Sequence, residues 1–98
     1  MLEAKSFEFR ASGQYSPFVA IKLNCDDPND HEVIRLARMV EKPPLIILID
    51  LKQRRMESNP MLWYDAAITT FHRYIVAHFD KLTTGGIIDY EVAKANVK

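Results

Sequence analysis

The sequence predicts an α+β domain: a small, mostly antiparallel sheet packed by two helices in two layers, in the order ββαβα with a final strand open. Three observations predict it. Apolar residues alternate with polar ones over 6–11 and again over 18–25. An unbroken, β-branched-rich run, Leu45-Ile46-Ile47-Leu48-Ile49-Asp50-Leu51, follows a Pro43-Pro44 boundary. Two further segments repeat apolar residues at helical spacing between proline and glycine boundaries.

Taken in order, residues 6–11 place Phe7 and Phe9 on one side, and residues 18–25 place Val19, Ile21, Leu23 and Cys25 on one face. The intervening Ser12-Gly13-Gln14-Tyr15-Ser16-Pro17 is turn-like, so the pair reads as an antiparallel hairpin. Asp27-Pro28 is a helix start, an oxygen-bearing cap followed by proline at the first helical position. Asp30 and Glu32 then set negative charge at the positive end of the helix dipole. This first helix should run to about residue 41, because Lys42 precedes Pro43 and is pushed out of helical geometry. Val33, Leu36, Ala37 and Val40 share its apolar face, with His31, Arg35, Arg38 and Lys42 opposite.

The run 45–51 does not alternate, which predicts a strand covered on both faces and hence central. Ser58 or Asn59 caps a second helix with Pro60 in its first turn, and Gly85-Gly86 ends it after about residue 82. At about 1.5 Å per residue it exceeds about 30 Å. The tail reads two ways. Ile88, Tyr90 and Val92 alternate with Asp89 and Glu91 as in a strand, while 91–98 also suits a short helix; the strand is the preferred expectation.

Composition narrows the classes of function. The 98 residues suit a single domain, with 48% hydrophobic and 27% charged residues, an ordinary globular balance. Thirteen basic residues match 13 acidic ones, so no overall field draws in nucleic acid or an anionic membrane, and little repulsion opposes self-association. One cysteine, Cys25, excludes an intrachain disulfide and fits a reducing compartment. The start of the chain lacks the basic and apolar run of a signal peptide, and the longest apolar run, 45–49, is too short to span a bilayer. The expectation is a cytoplasmic protein without membrane contact.

The second helix is the most informative segment. Tyr64, Ile68, Phe71, Ile75, His78 and Leu82 form one stripe, flanked by Met61 and Phe79 on one side and by Trp63, Ala67 and Tyr74 on the other. The apolar arc is about 160° wide, against the ~100° that a core-facing surface helix needs. Beyond it lie Ala66, Thr70 and Ala77, small enough for another backbone to come close. Two readings stand. Either the helix fills the core and the tail or hairpin covers the excess, or Trp63, Ala66, Thr70, Phe71, Tyr74 and Ala77 contact a second copy of the chain or a larger protein.

The other constellations are weaker. Arg35, Arg38 and Lys42, with Arg54 and Arg55 after the central run, could hold phosphates if they converged, as in a nucleic-acid-associated protein. A solvated helix face explains them as well, and aromatic residues are not interleaved with them. Asp50-x-Lys52 at a strand end resembles the placement of a metal ligand and lysine in one class of metal-dependent nucleases, with Asp26 or Asp27 as a second ligand. The pattern is common by chance, and a whole helix separates those residues in sequence. Cys25 before a helix start, six residues from His31, could form a nucleophile pair, but it continues an apolar face. Asp26, Asp27, Asn29 and Asp30 lack the glycine and distal glutamate of a calcium loop, and no zinc-binding spacing occurs. No phosphate-cradling glycine loop is found. The expectation is a non-catalytic interaction or regulatory protein, homodimeric or docked on a larger protein through its second helix, with no metal or cofactor.

Overall fold

The computed structural model describes residues 2–50, 55–58 and 65–97, with the backbone alone at 55–58, 65 and 66. The chain runs β1 (Glu3–Ala11), β2 (Gln14–Lys22), α1 (Pro28–Met39), β3 (Leu45–Asp50), β4 (Arg55–Ser58), α2 (Asp65–His78), β5 (Ile87–Asp89) and α3 (Tyr90–Ala95), with a 3₁₀ turn at Phe79–Lys81. It forms one α+β unit in which a single sheet is packed by helices. The Cα radius of gyration, 12.7 Å, matches the ~13 Å of a compact domain of about 100 residues.

The sheet order is β4-β3-β2-β1-β5. It is mixed rather than mostly antiparallel: β1–β2 and β3–β4 are antiparallel, β2–β3 and β1–β5 parallel. The parallel pairs arise because α1 and α2 lie in the connections to β3 and β5 and carry the chain back before the next strand begins. One strand escaped the sequence reading, and the expected tail strand is shorter than the alternation implied. Short β4 carries no clear alternation, and β5 is only three residues long. Ser58, expected as a helix cap, is the last residue of β4, and Asn59 and Pro60 lie outside the described residues.

The hairpin is tighter than its composition implied. Ser12 (φ 52°) and Gly13 (φ 78°) both take positive φ and close a two-residue turn, so Ala11 pairs directly with Gln14 and β2 already includes Pro17. The proline is tolerated for a definable reason. It faces Glu8, whose N–H turns away from β2 to the Gly86 carbonyl (3.0 Å), so this is a non-hydrogen-bonded pair and the missing proline N–H is on the β3 side. Pairing with β3 begins only at Phe18.

β3 is an interior strand, as the unbroken apolar run predicts. Leu45, Ile47 and Ile49 join Phe7, Phe9, Phe18, Phe71, Ile75 and Phe79 in the main core, beneath α2 and α3. Leu48 and half-buried Ile46 face the other way, into a smaller cluster with Leu23, Ala37, Val33 and Ile34 beneath α1. The two expected layers thus gain a third over part of the sheet.

Both predicted helices exist, with shifted details. Asp27 caps α1 by accepting the Asn29 N–H (2.9 Å). The buried side of α1 is Asp30, Val33, Ile34 and Ala37, about 60° round from the predicted face at 100° per residue, which leaves Leu36 51% and Met39 65% exposed. The rotation lets the Asp30 carboxylate turn inward and accept the Asn24 N–H (2.8 Å). α2 gives way to a 3₁₀ turn at Phe79, ahead of the glycines; Gly85 (φ 82°) instead shapes the turn into β5. Lys5 of β1 secures that end, donating to the Phe79 and Leu82 carbonyls (2.6 and 3.0 Å) with its ammonium 4.7 Å from the Phe79 ring centre. The tail is both structures foreseen for it, a strand and then a helix. Asp89 ends β5 and caps α3 through the Glu91 N–H (2.8 Å).

Candidate interaction surface

α2 and the 3₁₀ turn that follows it settle on the sheet along Ala67, Phe71, Ile75 and Phe79, each buried, at four-residue spacing. Its predicted contact residues separate. Phe71 is wholly buried, its ring centre 4.1 Å from that of Phe9 and 3.9 Å from that of Phe18. It is a core residue and is withdrawn from any contact surface; the stripe on which it was read is the stripe that the β1–β2 aromatics meet. Thr70 is half-buried and Ala77 exposed. Tyr74 is half-buried against the core and stacks on His78 at 4.6 Å, while His78 Nδ1 donates to the Tyr74 carbonyl (3.0 Å). Trp63 and the Ala66 side chain lie outside the described residues. α3 packs against α2, so the tail covers part of the surplus apolar arc.

Apolar surface that stays open has moved to where α2, β5 and α3 meet. A groove of about 190 Å³ is lined by Phe7, Tyr74, Leu82, Ile87, Ile88 and Val92, among others. Ile88 is buried in its floor, whereas Ile87 is 60% and Val92 52% exposed. Alternation over 87–92 concealed this arrangement, because a strand would put Val92 on the same side as Ile88. The signal that could have revealed it is Asp89 itself, a capping residue immediately ahead of a possible helical turn.

The basic residues do not form one site among the described residues. His31 Nε2 donates to the Cys25 carbonyl (2.8 Å). Arg35 pairs with Glu32 one turn earlier, raising the arginine pKa and lowering that of the carboxylate, and its guanidinium reaches Met39 Sδ (3.6 Å). Arg38 is exposed on α1, whereas Lys42, also exposed, lies beyond the end of the helix at Met39 and does not continue its stripe. Arg54 lies outside the described residues, and Arg55 is placed only by its backbone in β4, opposite Asp50.

The acidic residues hold backbone. Asp50, 2% exposed, accepts the Cys25 N–H (3.2 Å), so the parallel β2–β3 pairing does bring the 24–27 segment beside the end of β3 despite the intervening helix. Asp27 and Asp30 are engaged as described above, and the Asp26 N–H is held by Asn24 Oδ1 (2.9 Å). Lys52 lies outside the described residues. Among the described residues no group of three His, Cys, Asp or Glu side chains is arranged to hold a metal ion, and no helix is long and apolar enough to cross a membrane.

At the hairpin end, Arg10 Nε donates to Asp89 Oδ2 (2.6 Å) and its Nη1 to the Tyr15 hydroxyl (3.2 Å). The Arg10 hydrogen bond, with the Glu91 N–H, holds the Asp89 carboxyl below its usual pKa. The shallow opening beside them, about 530 Å³, is lined by these three side chains together with Ser12, Tyr90 and Glu91.

Among the described residues, His72 on α2 carries the exception to the satisfaction of buried side-chain polar atoms. Among the described residues nothing hydrogen-bonds its buried Nε2, and burial lowers its pKa below the usual 6.5. The folded chain therefore binds this proton less readily than the unfolded chain. The contribution is fully present above the unfolded value and is lost as pH falls from about 6.5 towards the lower folded value. Thermal melts from pH 7.5 to 5 should show a fall in Tm that His72→Phe reduces; superimposable pH profiles for the two proteins would assign the titration elsewhere.

No family model, curated protein or solved structure matches the chain in comparisons of sequence and fold.

Proposed function

We propose that this chain is a non-catalytic interaction module that self-associates through the groove between α2, β5 and α3. One observation carries the reading: Ile87 and Val92 stand 60% and 52% exposed on either side of an apolar cleft floored by buried Ile88. Exposed large apolar side chains gathered round a concavity mark contact surfaces more often than ones scattered singly do. Tyr74 at the same cleft supplies an aromatic anchor of the kind that dominates interface energy. Balanced charge leaves self-association unopposed. The carboxylates near β2 and β3 serve the backbone, which favours a binding role over a catalytic one.

Val92→Lys tests this. Its exposed position predicts a fold retained within a few degrees of the parent Tm. Light scattering at increasing concentration should show the parent chain assembling and the variant remaining a single chain. An unchanged mass in the variant, or a parent that stays a single chain throughout, would sink the reading.

A further inference from the structure

One wall of the groove cannot stand by itself. α3 is six residues long, and a helix of that length does not persist in water without tertiary support. Its grip on the core is small. Ala93 is wholly buried, and Tyr90 is half-buried against the core, its ring edge-on to that of Phe9 at 6.3 Å between centres. Glu91 and Val92 are exposed, yet Val92, in the first turn, lines the groove.

Asp89 is the joint between that turn and the sheet. It ends β5, and its two carboxylate oxygens are held from different directions. Oδ1 accepts the Glu91 N–H (2.8 Å) and so caps α3. Oδ2 receives both Nε (2.6 Å) and Nη2 of Arg10, the residue opposite Asp89 in the β1–β5 register. With both oxygens engaged the plane of the carboxylate is fixed, and with it the direction in which α3 leaves the strand. Arg10 is itself held from its other side. Its Nη1 donates to the Tyr15 hydroxyl (3.2 Å), and its guanidinium carbon lies 5.9 Å from the centre of the Tyr15 ring, on the neighbouring strand. A line of contacts therefore runs from β2 through β1 to the start of α3. Asp89 also lines both the hairpin-end opening and the groove, so it joins the two concavities. An exposed ion pair contributes little to the stability of a whole domain. This one acts on a short peripheral helix, so its effect belongs to α3 rather than to the global melt.

We infer that Arg10 is a latch that positions α3 through Asp89 and thereby sets one wall of the groove. The latch is a property of the single chain; its bearing on association rests on the groove being the contact surface.

Hydrogen exchange separates the latch from the cap. Asp89→Asn keeps an oxygen able to cap α3 but loses the charge that holds Arg10. Arg10→Gln leaves Asp89 and its cap in place, at an exposed site where the fold should be retained. Each variant should speed exchange of the amides of residues 93–96 by at least about fivefold, with β1 and β2 amides exchanging as in the parent. Arg10→Lys keeps the charge without the fork and should fall between Arg10→Gln and the parent. The double variant should exchange no faster than the faster single one, because both break the same contact. Unchanged exchange at 93–96, or acceleration spread equally over β1 and β2, would overturn the latch. Light scattering on the same samples should show weaker association in both single variants. Selective acceleration in α3 with association as tight as the parent's would overturn the role of the latch at the groove. A parent that stays a single chain at every concentration sinks the groove reading, and exchange still decides the latch.

Discussion

Phe71→Ala is expected to lose about 3–5 kcal/mol of unfolding free energy in urea titration, with the midpoint falling accordingly. Against the 5–15 kcal/mol typical of a whole domain, that is a large fraction. The ring is wholly buried, its centre within about 4 Å of those of Phe9 and Phe18. Those two phenylalanines sit on the paired strands β1 and β2, so truncation empties the point where α2 meets the hairpin. The cavity would be bounded by other large groups, Ile75 and Ile47 among the buried set, which leaves few small side chains free to collapse into it. Phe71→Glu should prevent folding altogether, since a carboxylate there would be buried among aromatic rings. A loss below about 1 kcal/mol for the alanine variant would contradict the placement of Phe71 in the core. Such a result would also restore it as a surface residue of α2.

Asp30→Ala is expected to be the most damaging single change outside the main core, at about 2–3 kcal/mol. Its buried carboxylate accepts the Asn24 N–H at 2.8 Å, and hydrogen bonds to charged groups contribute about 1.5–3 kcal/mol. It also places negative charge in the first turn of α1, a further few tenths to about 1 kcal/mol. The next residue along, Cys25, gives its N–H to Asp50, so two buried carboxylates grip consecutive peptides of the β2–α1 connection. Because they act on one short segment, Asp30→Ala and Asp50→Ala should be non-additive in a double-mutant cycle, with a coupling of about 0.5 kcal/mol or more. Asp30→Asn keeps an acceptor oxygen and should recover part of the loss. Strict additivity together with an unperturbed Asp30→Ala variant would show that the connection is held by other contacts.

These two residues show where sequence reasoning reaches. The stripe containing Phe71 is legible from periodicity alone, and its centre lies where the structure puts it. Which side of its border is open is not legible, since that depends on α3, a six-residue helix too short to announce itself by periodicity. Asp30 reads as a dipole-complementing residue on the outside of a helix. Its inward turn depends on a backbone N–H six residues earlier, which no helical wheel contains. The same rotation leaves Leu36 and Met39 exposed.

What the sequence by itself determined are the features set by neighbours along the chain: the hairpin, the Asp27-Pro28 start of α1, the interior character of 45–50 and the α+β class. Each follows from residue alternation, capping chemistry or backbone restriction acting within a few positions. What only the tertiary structure decided are the pairing partners and the exposed remainder. Parallel pairing of β2 with β3 and of β1 with β5, the division of helices between two faces, and the groove beside Ile87 and Val92 depend on segments far apart in sequence meeting in space. Local pattern marks a residue as apolar; whether that apolar area is core or contact surface is fixed by what packs against it.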